Sequence, residues 1–98
     1  MNSLNQVREL LDEWYNDTKF HSNLNKINNH PSAHKLKEYG FDVVPILLKE
    51  LQGENAHWGL FSLLRKITEL NPTNKNHIGN FKELSKDWVC WGKKQGLI

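Results

Sequence analysis

Three observations predict an all-α fold. No segment shows a convincing period-two alternation of apolar and polar residues, so no strand is expected. Apolar side chains recur instead at three- and four-residue steps, the spacing of one helix face. The run from Gly40 to Leu51 then combines a helix stop, a cap, an early proline and an apolar stripe in one turn-plus-helix unit. Gly40 suits the left-handed backbone that ends a preceding helix. Asp42 is placed to accept hydrogen bonds from the first free amides, and Pro45 falls in the opening turn, where a missing N–H costs nothing.

The elements follow in order. Ser3 with Gln6 three residues on reads as a capping box. Leu4, Val7, Leu11, Trp14 and Thr18 then follow at helical spacing, for a first helix over about residues 4 to 20. The polar, Asn-rich stretch from His21 to His30 reads as a loop. Pro31 and Ser32 open a short second helix that ends near Tyr39 and is closed by Gly40. A third helix spans about 43 to 52, with Val44, Leu47, Leu48 and Leu51 on one face and Gly53 as its stop. Asn55 is the expected cap of a fourth helix over about 56 to 70. Its stripe is Leu60, Leu63, Leu64, Ile67 and Leu70, and Asn71-Pro72 ends it. Asn80 with Glu83 makes another capping box, after which Phe81, Leu84, Trp88 and Trp91 align along a fifth helix up to Gly96.

Composition limits the options. A chain of 98 residues is the size of one small domain and buries only about two-thirds of its unfolded surface. With 38% apolar residues, four Trp and four Phe, the aromatics must carry much of the core. The net charge of +2 is too small to declare a polyanion partner, although residues 71 to 98 hold five Lys against two acids. A single cysteine, Cys90, excludes an internal disulfide and fits a reducing compartment. The first residues show neither a basic leader nor a continuous apolar core, and no segment approaches the ~20 apolar residues of a membrane span. The expected location is therefore the cytoplasm.

The elements pair as two antiparallel helical hairpins, 32 to 52 and 55 to 95, preceded by a longer helix able to cap the exposed end. The two units resemble HEAT repeats, whose glycine and Val-Pro entry into a second helix is mimicked by Gly40, Val43, Val44 and Pro45. Across residues 10 to 98 the chain also resembles a family of short all-helical proteins of bacteria and phages. The matching residues are Trp14, Thr18, Ser22, His30-Pro31, Gly40, Val44-Pro45, His57-Trp58, Ile67-Thr68, Asn71-Pro72 and the segment Trp88 to Gly92, which contains Trp91. Two positions depart from that pattern: Gly59 stands where a bulky aromatic is usual, and Ser32-Ala33-His34 where an aromatic-containing segment is. The resemblance implies a helical-repeat fold and no established reaction. For such a family it also implies an antitoxin-like or defence-accessory role.

Chemical constellations are sparse. His30, His34, His57 and Cys90 could form a zinc-like set only if the hairpins brought them together. Structural zinc sites supply tighter paired spacings, and Pro31 breaks the helical alignment of the two nearer histidines, so no metal and no cofactor is expected. His57, read into the first turn of the fourth helix, suits a neutral imidazole hydrogen-bonded to the preceding loop. Cys90 sits mid-helix without an assigned base, and Glu50, Glu54 and Glu69 could meet as carboxylates only by tertiary coincidence. No phosphate loop, dinucleotide glycine pattern or nucleophile elbow occurs. An enzyme is not expected.

The aromatic surplus is the better clue to function. Trp14, Tyr15, Trp58, Phe61, Trp88 and Trp91 exceed what two hairpins easily enclose. On a helical wheel Trp58 lies away from the main stripe, near Ser62 and Arg65, with Phe61 between the two faces. Trp is also enriched at binding hot spots. The expected function is a non-catalytic protein-interaction module, an accessory, adaptor or inhibitor of a larger effector, docking through Trp58, Phe61, Ser62 and Arg65. The internal alternative is that the first helix covers Trp58. Self-association is a further option for such a surface. The runner-up function is weak binding to a nucleic-acid backbone through Lys82, Lys86 and Lys93, which share one side of the last helix.

Overall fold

The computed structural model describes residues 3–20 and 23–98, with side chains for 6–20, 23 and 25–98. It is all-α: α1 (Ser3–Thr18), α2 (Leu24–Asn28), α3 (Pro31–Glu38), α4 (Val44–Glu50), α5 (Gly59–Thr68) and α6 (Phe81–Lys94). One-turn 3-10 helices occupy Gly40–Val43 and Lys75–His77, and no strand occurs among the described residues. The Ser3–Gln6 capping box, Leu4, His21 and Ser22 fall on side chains or residues outside those described.

Local signals act largely where the spacing places them. Gly40 takes a φ of +63° and turns the chain out of α3, and Pro45 lies in the first turn of α4. Asn80 caps α6, its Oδ1 accepting from the Glu83 amide at 3.1 Å. The return half of that box is absent, because the Asn80 amide already donates to the His77 carbonyl at 2.9 Å. Asp42 is not a cap either. The 3-10 turn runs directly into α4 and the Val44 amide bonds to the Phe41 carbonyl, so no side-chain oxygen is required.

Other boundaries shift for visible reasons. α1 stops at Thr18, whose buried hydroxyl bonds back to the Trp14 carbonyl. The Asn-rich segment holds α2, since Asn23 Oδ1 caps the Asn25 amide at 2.9 Å and Ile27 supplies one buried anchor. α5 begins at Gly59 and not at 56. The His57 and Trp58 carbonyls accept its first bonds, at 3.1 Å each, and Asn55 caps nothing. The same helix ends at Thr68, where Glu69 swings to a φ of +58°. Leu70 is thereby carried off the stripe and left exposed, before Asn71-Pro72 is reached.

The helices do not pair chiefly as the expected hairpins 32–52 and 55–95. Instead α3 packs on α1 and on α5, α4 packs on α6 and on α5, and α2 packs on α5. The 3-10 turn at Gly40–Val43 and the long connections around α5 send each helix to a partner outside its own unit. Leu11, Trp14, Leu36, Val44, Leu47, Leu48, Leu60, Leu64 and Trp88 fill the space between them. Between α5 and α6 aromatic rings make contact, with Phe61 and Phe81 centroids 4.8 Å apart. Two glycines mark close approaches. A Cβ on Gly59 would lie 2.7 Å from Ile27 Cγ2 and from Trp14 Cζ2, and one on Gly92 would lie 2.5 Å from Leu48 Cδ1. Trp14 and Ile27 thus occupy the volume that a side chain at position 59 would need.

Gly59→Ala should therefore lower stability by about 1 to 3 kcal/mol through overpacking, despite the better helix propensity of alanine. Gly40→Val should cost a similar amount, here through left-handed backbone strain of about 1–3 kcal/mol. Gly53→Ala, whose added Cβ would meet only the Glu50 carbonyl at an ordinary 3.5 Å, is the matched control. Thermal melts followed at 222 nm should rank Gly53→Ala well above the other two. Equal melting of all three would refute the close approach and the strain together.

Candidate docking surface

Trp14 determines how this surface is built. Its ring is fully buried and its Nε1–H donates to the Ile27 carbonyl at 2.8 Å. The His57 imidazole packs edge-on against it, with centroids 4.6 Å apart at 88°. With His57 turned inward and Gly59 pressed against Trp14, the intervening Trp58 is turned outward. Its ring meets Phe81 edge-to-face at 5.1 Å and Phe61 at 5.6 Å. Trp58 keeps 42% of its surface exposed.

The four expected docking residues separate. Trp58 and Arg65 are exposed, Ser62 is half-buried, and an Arg65 Nη lies 3.5 Å from Ser62 Oγ. Phe61 is only 6% exposed and supports the Trp58 ring from beneath, so it offers a partner no contact surface of its own. The ring covering Trp58 from within the chain is Phe81 of α6, a pairing across 23 positions that a single-helix wheel does not show.

Trp58 and Phe81 form a ridge between two depressions. On one side a cleft of about 360 Å³ is lined by Tyr15, Lys19, His57 and both ridge residues. On the other a groove of about 590 Å³ is lined by Phe81, Leu51 and Val89, with Lys82, Lys86 and Lys93 along it. The three lysines expected on one side of the last helix thus do share a groove. Lys86 lies 3.5 Å from Glu83, whereas Lys82 and Lys93 form no ion pair among the described residues. A third cleft, of about 750 Å³, opens between α1 and α3 and is lined by Glu9, Glu13, Glu38, Lys35, Leu10 and Tyr39.

The histidines and the cysteine serve separate tasks. His30 caps α3: its Nδ1 accepts from the Ser32 amide at 3.0 Å, leaving Nε2–H to donate to Asp17 at 2.9 Å. His34 and Cys90 are exposed on different helices. His57 precedes α5 and lies outside its first turn. Its Nδ1 is buried without a hydrogen-bond partner among the described residues, in place of the expected bond to the preceding loop. Among the described residues no three His, Cys, Asp or Glu side chains are grouped to hold a metal ion. Glu50 meets no second carboxylate in this role; it receives a two-pronged bond from Arg8, at 3.0 and 2.7 Å, and Arg8 also holds Asp12. This raises the Arg8 pKa further above its ordinary value, chiefly through the Glu50 bond.

A second polar cluster, not anticipated from spacing, fastens the loop before α6. Asp87 accepts from the Asn74 amide at 3.0 Å and from His77 Nδ1–H at 2.7 Å. These bonds, the backbone one foremost, hold its carboxyl below the usual range. Comparison of the chain with protein families, with curated proteins and with solved structures finds no match.

Burial pushes the His57 imidazole down to about 4, against a smaller opposing pull from Glu50. A histidine whose folded pKa lies below its unfolded value gives stability that is complete above the unfolded pKa of 6.5 and is lost as pH falls toward 4. The loss should approach about 3 kcal/mol, at about 1.4 kcal/mol per unit. Asp87 is depressed in the carboxylate range, so its contribution is lost only below about 3.8, outside that window. Denaturant melts between pH 7 and 4 should show the decline, and His57→Phe should flatten it. NMR showing His57 charged at pH 6 in the folded protein would overturn the assignment.

Proposed function

We propose that this chain is a non-catalytic protein-interaction module, an accessory, adaptor or inhibitor that docks a larger protein on the Trp58 ridge. The observation that carries this reading is the exposure of Trp58. A large apolar ring packs on Phe61 and Phe81 yet stays half-exposed, and tryptophan is the residue type most enriched at binding hot spots. The cleft beside it adds the Tyr15 ring and the Lys19 ammonium, which lies 5.7 Å from that ring, so the patch joins apolar area with one cation. Arg65 extends the surface along α5. The resemblance to HEAT-like repeat units supports the same reading, since repeat proteins bind through the faces their neighbours leave open. An antitoxin-like or defence-accessory role is the biological setting the resemblance suggests.

No helix is long and apolar enough to cross a membrane among the described residues. The competing function is weak contact with a nucleic-acid backbone through Lys82, Lys86 and Lys93, favoured by their shared groove. Three cations give a salt slope of only about 3, too shallow for specific recognition.

Trp58→Ala should weaken binding to the copurifying protein by about 2 to 4 kcal/mol, roughly 30- to 1,000-fold in Kd. The melting temperature should fall by only a few degrees, because the ring is half in water and loses mainly its stacking on Phe61 and Phe81, about 1 to 2 kcal/mol. The check is tagged recovery from the native host, followed by titration of the recovered protein with wild type and variant. Undiminished binding by Trp58→Ala, or recovery of nuclease-sensitive nucleic acid in place of a protein at fixed ratio, would overturn the reading.

A further inference from the structure

The charge of the chain is divided between helices that do not pack together. α1 carries Glu9, Asp12, Glu13 and Asp17 against Arg8 alone, a helix of net −3. α6 carries Lys82, Lys86, Lys93 and Lys94 against Glu83 and Asp87, a helix of net +2. The two lie at opposite ends of the packing order, α1 on α3 and α6 on α4. Such an arrangement leaves these charges unable to neutralise each other within one molecule.

We propose that the lysine face of α6 docks head-to-tail on the acid-lined cleft between α1 and α3 of a second copy of this chain. The charges suit this pairing. α6 carries Lys82, Lys86 and Lys93 along one groove, over eleven residue steps or about 16 Å at 1.5 Å per residue, with Val89 among them. The receiving cleft is lined by Glu9, Glu13 and Glu38 against one cation, Lys35, with Leu10 and Tyr39 as its apolar part. Lys82 and Lys93, the lysines without an internal ion pair, meet carboxylates of which Glu9 and Glu38 are likewise unpaired among the described residues. Glu9 and Glu13 are one turn apart, as are Lys82 and Lys86, so each helix offers charges at the same ~6 Å repeat.

Because the two surfaces differ, the contact is heterologous and repeats from copy to copy. It sets the last helix of one copy on the α1–α3 pair of the next. Lysine–carboxylate contacts at a wet rim give modest affinity and strong salt dependence. The contact leaves Trp58 free, so it stands or falls separately from the docking function proposed above.

The test is sedimentation velocity of the purified full chain over a concentration series at about 50 mM and about 500 mM salt, where the Debye length shrinks from ~14 Å to ~4 Å. Wild type should self-associate at low salt, with Kd raised at least about tenfold at high salt. Lys82→Glu/Lys93→Glu should be monomeric, and so should Glu9→Lys/Glu38→Lys; neither pair touches the Arg8–Glu50 bond or the Ser32–Glu13 bond, and melting should confirm that both variants fold. Mixing the two variants should restore association, since each then offers the other an opposite charge. Lys82→Ala/Lys93→Ala, which removes charge without reversing it, should weaken association less than the reversal. A wild-type chain that stays monomeric at low salt overturns the proposal. So does association that survives both reversals, or a mixture that stays monomeric. Loss of binding to a dT20 oligonucleotide in the lysine variants, with no self-association of wild type, would assign the face to nucleic acid instead.

Discussion

The burial of Trp14 is the constraint on which the rest of the structure depends. An indole completely removed from water must place its N–H, and it donates to the Ile27 carbonyl at 2.8 Å. That one bond draws the Asn-rich segment against α1 and gives α2 its place. The ring edge then occupies the volume above residue 59, so that position has no room for a side chain. His57 packs against the indole, and burial pushes its imidazole down to about 4. Trp58, between these two, is left to face outward. The candidate docking surface is thus a consequence of core packing rather than a separate feature added to it.

Around this apolar centre, polar bonds from α1 align the neighbouring helices. Arg8 grips Glu50 at the end of α4, Glu13 accepts from the buried Ser32 hydroxyl at 2.7 Å, and Asp17 accepts from the capping His30. Two of them tie α1 to the start of α3 and one ties it to the end of α4. Removing Arg8 would strand the nearly buried Glu50 carboxylate, which costs more than the pair itself contributes. α1 consequently behaves as a latch on α3 and α4. It closes the apolar side of α3 while keeping its acidic side toward solvent, and that is the origin of the charge division between α1 and α6.

The sequence made the helix class readable because its evidence is local: a glycine at a turn, a proline in a first turn, leucines at three- and four-residue steps. Gly40, Pro45 and Asn80 act where those patterns place them. The missed items are those decided by partners far along the chain. Arg8 and Glu50 are 42 positions apart, and nothing in either neighbourhood joins them. Phe61 looked ambiguous on a wheel because the deciding neighbour is Phe81 on another helix. α2 was hidden because asparagines that cap a helix look the same, in sequence, as asparagines in a loop. The need for a glycine at 59 comes from Trp14 and Ile27, 45 and 32 positions away. For the site, the exposure of Trp58 and the shared lysine face were legible, whereas the acid cleft between α1 and α3 was not, since its walls come from two helices.

The most direct test of this dependence is hydrogen exchange at the four tryptophan indole N–H groups, read by NMR on the intact chain. If Trp14 holds α1, α2 and the start of α5 together, its Nε1–H exchanges only on global unfolding. It should then be orders of magnitude slower than the indole of the exposed Trp58, with an opening free energy equal to that of denaturant unfolding. A Trp14 indole that exchanges as fast as that of Trp58, or well before the global transition, would contradict the account.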